Sequence, residues 1–208
     1  MNQKTKQILE NIRKELEHIR DLELSEKVDF LNQTRLLLSG YSPFKNEPVD
    51  TILWVPNELV IANEYNPNRV APPEMELLYV SIKQDGYTQP IVSYPENDHF
   101  TVVDGFHRNR VGKEYRDIVE RVHGYLPLVT INKVLQDRMA STIRHNRARG
   151  THAISPMSKV IEELYFLGWS DKKIAEQLGM EKDEVLRLKQ FTGLGNLFKN
   201  REFSKAWQ

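Results

Sequence analysis

Apolar positions along the first part of the chain recur with the period of a helix. Ile8, Ile12, Leu16, Ile19 and Leu22 are spaced by three and four residues, which places them on one face. That face predicts a helix packed on the main domain, with a dimerising helix as the alternative. A second helical pattern runs through VDFLNQTRLLLSG and stops at Gly40, and the proline-bearing YSPFKNEPVD reads as a linker. From Thr51 the period shortens. TILWVP, QPIVSYP, FTVVDG and LPLVTIN are short β-rich runs, and ENDH alone separates the second from the third, which predicts a hairpin. Among them, PEMELLYVSIKQDG predicts a helix with Pro73 at its start, Glu74 and Glu76 in its first turn and Gly86 as its stop. FHRNRVGKEYRDIVERV predicts another, opening on the Gly105 turn. From Asp137 onward the pattern is nearly all helical.

The sharpest local pattern lies in DKKIAEQLGMEKDEVLRLKQ, residues 171–190. Ile174, Ala175 and Leu178 fit a short first helix capped by Ser170, Gly179 fits a tight turn, and Met180, Val185 and Leu188 fit a second helix. A small alanine lets two helices approach and a glycine permits the turn, so the spacing predicts a helix-turn-helix. Its second helix carries Lys182, Arg187 and Lys189 against Glu181, Asp183 and Glu184. Lys172 and Lys173 on the first helix join them as candidate DNA contacts, because phosphate neutralisation requires lysine or arginine. The balanced charge of the second helix leaves a helical hairpin for packing or protein contacts as the alternative. These elements predict an α+β chain: a helical segment over 1–40, a mixed domain over 48–136 and an all-helical domain over 137–208.

Charge changes the picture only locally. Lys plus Arg equal Asp plus Glu at 29 each, so any anion site has to come from patches. The absence of cysteine excludes disulfides, thiolate metal sites and cysteine nucleophiles, and fits a reducing compartment. The amino terminus is charged throughout without an apolar h-region, and no window approaches a membrane span. A soluble, cytoplasmic protein is expected.

The densest patch is FTVVDGFHRNRVG, Phe100 to Gly112. A strand that ends in Asp-Gly and runs into a helix offers backbone N–H groups where the helix dipole favours an anion. Gly105 permits close backbone approach, and Arg108 and Arg110 supply planar forks matched to phosphate oxygens. His107 donates to a phosphate when protonated, and Asp104 suits proton acceptance, capping or a magnesium-bound water. A second cluster, Arg144, His145, Arg147, Arg149 and His152, could close over the same phosphates from another helix. The bland readings are a capped surface turn for the first and a solvated face for the second.

Several separated pieces stand in the order of one family. NPNR (66–69), SIKQDGYTQPIV (81–92), FTVVDGFHRNRVG, RHNRAR (144–149) and the helix-turn-helix together resemble the ParB/sulfiredoxin fold. The likeness is closest to the ParB-like regulators called immunoglobulin-binding regulator B, or IbrB-like, and covers about Val49 to Leu194. It implies a small mixed sheet with helices, followed by the helix-turn-helix domain. It assigns nucleotide-binding roles to Gly86, Gln89, Pro90, Gly105, His107, Arg108, Arg110, Arg144, His145, Asn146, Arg147 and Arg149, with Asn146 near a magnesium ion. The implied ligand is a nucleoside triphosphate, CTP or ATP. Phe106 stands where the family has an acid or, in sulfiredoxins, the catalytic cysteine, and His145 replaces the acid of the third motif. A sulfiredoxin reductase is thereby excluded, and a site that binds more securely than it catalyses is expected.

The expected function is a nucleotide-binding, DNA-binding regulator whose phosphate cradle gates the helix-turn-helix. Transcription is the expected setting rather than chromosome segregation, since little sequence follows the helix-turn-helix. The resemblance implies a phosphoadenosine phosphosulfate reductase-like partner, and a homodimer is a further candidate. Two alternatives stand: a nucleotide-dependent phosphotransferase or NTPase using Asp104 and His107, and a protein-binding adaptor.

Overall fold

A computed structural model describes residues 1–63, 72–147 and 154–191, the side chains at 145–147, 154–156 and 191 excepted. The chain divides into two compact units, Met1–Trp54 and Val55–Gln208. In the first, α1 spans Gln3–Glu17 and α2 spans Leu24–Ser39. Asn2 caps α1 by accepting the Thr5 N–H at 2.9 Å. Neither helix contains a buried residue, and Ile8, Leu9 and Ile12 are 50%, 51% and 41% exposed. The α1 stripe has the predicted period without a closed core around it. Asn32 of α2 is the best-anchored residue here, its amide donating to the Trp54 carbonyl at 2.8 Å and accepting the Trp54 N–H at 3.1 Å.

The sheet is mixed and five-stranded, built from β1 (Leu53–Pro56), β2 (Val60–Ile61), β3 (Ile91–Pro95), β4 (Phe100–Asp104) and β5 (Tyr125–Thr130) in the order β1-β5-β3-β4-β2. The predicted hairpin is present: β3 and β4 pair antiparallel, with Tyr94 opposite Thr101 and a register shift between Val92 and Ser93. β5 runs parallel to β3, and its Leu126, Leu128 and Val129 are all buried, as a strand covered on both faces requires. The short β2, parallel to β4, is an element the hydrophobic pattern does not signal. α3 (Pro72–Asp85) packs through Met75 and Ile82 on Val111 of α4 (Phe106–Glu114) and Ile118 of α5 (Arg116–Arg121). α4 and α5 replace the single helix expected here. Tyr115 between them is extended, at φ −96° and ψ 107°, and its ring stacks on Tyr79 at 4.2 Å. A β-carbon on Gly112 would run into Leu126 and the Tyr87 hydroxyl, so α4 lies close against β5 only because this residue is glycine.

The helical part comprises α6 (Leu135–Arg147), α7 (Ile154–Phe166), α8 (Asp171–Leu178) and α9 (Lys182–Phe191). One apolar cluster holds them together, with Met139 and Ile143 from α6, Ile161 and Leu164 from α7, Ile174 and Leu178 from α8, Val185 from α9, and Trp169. The helix-turn-helix has the predicted anatomy. Ser170 Oγ accepts the Lys173 N–H at 3.2 Å, and Gly179 ends α8 in the left-handed region at φ 63°.

Candidate functional site

The centre of the site is the passage from β4 into α4. Asp104 ends the strand and Gly105, at φ 91° and ψ 26°, turns the chain into the first turn of the helix. A β-carbon at Gly105 would lie 2.9 Å from Arg108 Nη2, so the guanidinium is folded back over the glycine, beside the N-terminus of its own helix. Gln89 and Asp104 help to hold it there. Arg108 Nη1 donates to Gln89 Oε1 at 2.9 Å, and Nη2 lies 3.4 Å from Asp104 Oδ2. The pair is well sheltered, the arginine side chain 13% exposed and the carboxylate 5%. Arg108 therefore joins the GYTQP segment to the DGFHR turn, across a span of sequence that local pattern does not connect.

Gly86 leaves α3 at φ 79° and donates to the Ile82 carbonyl at 2.9 Å, and Pro90 leads into β3. Between them, the Tyr87 hydroxyl donates to the Arg108 carbonyl at 3.0 Å. Burial pushes its own pKa up to about 12. The motif reading passed over Tyr87, although it sits inside the Gly-x-x-Gln segment and is the aromatic residue there. His107 is half-buried, and its ring meets Phe106 edge-on at 5.3 Å. Burial first, and then repulsion from Arg110 and Arg108, holds its pKa below the usual histidine value, with Asp104 pulling the other way. Arg110 forms a fork onto both oxygens of Glu114 at 2.8 Å. Each partner thereby stabilises the charged form of the other.

α6 runs along β4 from the β3–β4 connection, and near its end reaches the helix-turn-helix. Thr142 Oγ1 donates to the Val103 carbonyl at 2.8 Å, one residue before Asp104. Arg138 lies 3.8 Å over the Tyr94 ring and donates to Glu96 at 3.1 Å, fixing the start of α6 on the β3–β4 hairpin. Arg144 turns toward α8 rather than the Gly105 turn. It donates to the Gln177 carbonyl at 3.2 Å and its Oε1 at 3.0 Å, and to Ser141 at 3.1 Å. His145, Asn146 and Arg147 continue α6 in backbone, but their side chains lie outside the described residues, as do Arg149, His152 and the NPNR segment. Among the described residues no three His, Asp or Glu side chains converge in a way that could hold a metal ion.

Four of the five lysines and arginines expected at DNA are exposed: Lys172, Lys173, Lys182 and Arg187. Lys172 lies 3.9 Å from Glu176, and Lys173 lies over the Trp169 ring at 4.0 Å. Lys189 departs from the expectation. It is 2% exposed, its ammonium 2.7 Å from Asp171 and 3.8 Å from the Tyr165 ring centre. A cation in that position locks α9 to α8 and α7, out of reach of a phosphate. The physical reason is a carboxylate supplied from 18 residues upstream, which makes burial of the charge tolerable.

A model of the IbrB-like C-terminal HTH domain matches residues 152–200. Escherichia coli (strain K12) has a relative, the uncharacterized protein YbdM, 49% identical over 183 residues that cover 88% of this chain and 88% of the relative. Two solved structures of C-terminally truncated chromosome-partitioning protein ParB from Caulobacter crescentus also align, each at 18% identity. The one complexed with CTP-gamma-S covers 72% of this chain and 87% of its own with a TM-score of 0.40. The one complexed to the centromeric parS site covers 70% and 76% with a TM-score of 0.46. No described helix is long and apolar enough to cross a membrane.

Proposed function

This chain belongs to the family of the Escherichia coli protein YbdM and carries an IbrB-like helix-turn-helix domain, and on that premise we propose that it is a ParB-like regulator that binds a nucleoside triphosphate and DNA. The observation that carries the nucleotide half is Arg108, which gathers Gln89, Asp104 and Gly105 into one sheltered turn at the start of α4. The turn suits phosphate for three reasons. The first N–H groups of a helix seek an acceptor, the dipole favours an anion there, and a guanidinium stands within reach. Gly105 lets the Arg108 guanidinium lie close over the backbone, and Tyr87 fixes the turn of α4 that carries Arg108. His107, held neutral more readily than a free histidine, can take up a proton when a polyanion arrives.

The DNA half rests on the helix-turn-helix and its exposed Lys172, Lys173, Lys182 and Arg187. α6 supports a link between the halves, since Thr142 holds the strand of the cradle while Arg144 holds α8. A ligand that moves Arg108 or β4 would thus bias the placement of the helix-turn-helix, as a switch driven by phosphate contacts. His145, Asn146, Arg147 and Arg149 are proposed to complete the phosphate site, with Asn146 on the magnesium of a metal-bound nucleotide. A phosphoadenosine phosphosulfate reductase-like partner and a homodimer remain part of the proposal. The cytoplasm is the proposed setting.

Isothermal titration of the full chain with CTP, ATP and GTP, with and without magnesium, tests the nucleotide half. Binding of at least one triphosphate below millimolar concentration is expected, and Arg108→Ala should weaken it by about tenfold or more. Absence of heat with all three would sink the proposal.

A further inference from the structure

The exposed side chains of α9 fall on one side. Lys182, Asp183, Leu186, Arg187 and Gln190 are exposed, whereas Val185, Leu188 and Lys189 are buried. At 3.6 residues per turn, the exposed five span an arc of about 140° and the buried three fall outside it. The chemistry of that face is unusual for a phosphate-binding surface. It carries two cations and one acid, its middle is Leu186 at 48% exposure, and its last position is a glutamine. Lys189, which would add a third cation, is withdrawn into the core by Asp171.

We infer that this face reads base edges, with Leu186 and Gln190 as its specificity-determining residues and an A·T-containing site as its target. The inference rests on the DNA-binding half of the proposed function. An apolar side chain on an otherwise polar recognition face has one productive partner in the major groove, the thymine methyl group. Gln190 lies one helical turn beyond Leu186, and a glutamine amide matches the N6 and N7 edge of adenine in a two-bond fork. Arg187 beside them suits guanine, and Asp183 one turn earlier accepts from the cytosine amino group. A helix with its side chains is about 10–12 Å across, which fits a major groove about 12 Å wide. Phosphate contact then falls to Lys172 and Lys173, exposed in the first turn of α8, the helix that crosses the DNA backbone in this motif. Base reading and backbone holding are divided between the two helices.

The test selects duplexes from a randomised library with the full chain, then measures affinity for a selected and a scrambled duplex across a salt series. The wild type is expected to enrich a motif containing adjacent A·T pairs. Leu186→Ala should lose preference at one thymine and Gln190→Ala at one adenine, each by about five- to 150-fold. Neither should change affinity for the scrambled duplex or the salt slope. Both residues are exposed, so each variant should fold. Lys172→Ala and Lys173→Ala should do the reverse, keeping the motif while flattening the salt slope by about one each. An unchanged motif in both Leu186→Ala and Gln190→Ala overturns the inference and leaves DNA binding standing. A change in molecular mass by light scattering for Leu186→Ala, with the motif intact, overturns it in favour of a protein contact. No binding of any duplex by the wild type at low salt overturns both readings.

Discussion

The Gly105 turn and α9 carry similar cations and hold them in opposite ways. At the turn each arginine already has an acid: Asp104 beside Arg108, Glu114 under Arg110. On α9 the buried Lys189 takes Asp171 of α8, and the outward face keeps Lys182 and Arg187 exposed. A pre-paired cation is cheap to keep in a sheltered place, but a ligand must replace its partner, so weakly charged ligands are rejected. An exposed cation engages DNA without any such exchange. On the proposed function, the Gly105 turn exchanges Asp104 for a triphosphate, and the helix-turn-helix docks without such an exchange.

Breaking the pair inside the docking domain should have the largest effect. Asp171→Ala removes the carboxylate 2.7 Å from the ammonium of Lys189, whose side chain is 3% exposed. Removing one member of a fully buried pair costs about 3–5 kcal/mol, and the partial exposure of Asp171 reduces that to roughly 2 kcal/mol. Denaturant unfolding followed by Trp169 fluorescence reads the loss. Lys189→Met keeps the apolar stem over Tyr165 and should cost less, under about 1 kcal/mol. It should leave the salt slope of DNA binding unchanged. A slope that falls by about one in Lys189→Met would mean the lysine does reach phosphate.

Two glycines sharpen the contrast next. Gly105 and Gly179 both have positive φ, at 91° and 63°, but a β-carbon meets Arg108 at the first and nothing within 4 Å at the second. Gly179→Ala should pay only the left-handed backbone strain, about 1–2 kcal/mol. Gly105→Ala adds displacement of Arg108, so its stability loss should be larger and triphosphate affinity should fall about tenfold. Equal losses for the two, with triphosphate affinity intact, would show that Arg108 is not held by that contact.

The helix-turn-helix was legible because its determinants are local. Ile174, Ala175, Leu178, Val185 and Leu188 are all buried, as a helical period and one glycine predict. Lys189 was misread for the opposite reason, since its burial depends on Asp171 and Tyr165, which no helical period links to it. The same limit applies in the mixed domain. Strands β1, β3, β4 and β5 carry β-rich runs, whereas β2 is two residues defined by pairing with β4. The break falls at Tyr115, whose ring stacks on Tyr79, a contact that local pattern does not signal. At the cradle, the order of motifs placed GYTQP near DGFHR, and the Arg108–Gln89 bond joins those segments. Arg144 is the converse case, a residue of the third motif turned to Gln177 of α8. Only coordinates distinguish a motif arginine facing the cradle from one facing away.

Titration gives a smaller effect that separates the two regions. Burial and the neighbouring arginines hold the folded-state pKa of His107 below the usual 6.5. In the window just below 6.5 the unfolded chain binds more protons, so this group makes stability rise with pH and fall as pH drops. A bound phosphate favours the imidazolium and reverses the preference. Lowering pH from about 7.5 to 6 should thus improve triphosphate affinity by roughly three- to tenfold in the wild type. The gain should be smaller in His107→Gln, which removes this imidazole. DNA binding through α9, which has no histidine, should lack this difference between wild type and variant.

The smallest effect comes from Glu114. Its fork onto Arg110 is an exposed pair one helical turn apart, and such pairs contribute about 0.3–0.5 kcal/mol. Glu114→Gln should therefore cost almost nothing in stability. It should free Arg110 near His107, raising triphosphate affinity about twofold, because the ligand no longer competes with a carboxylate for that guanidinium. A loss of affinity instead would mean that Glu114 orients Arg110 for the ligand, and that the second arginine of the turn is held ready rather than held back.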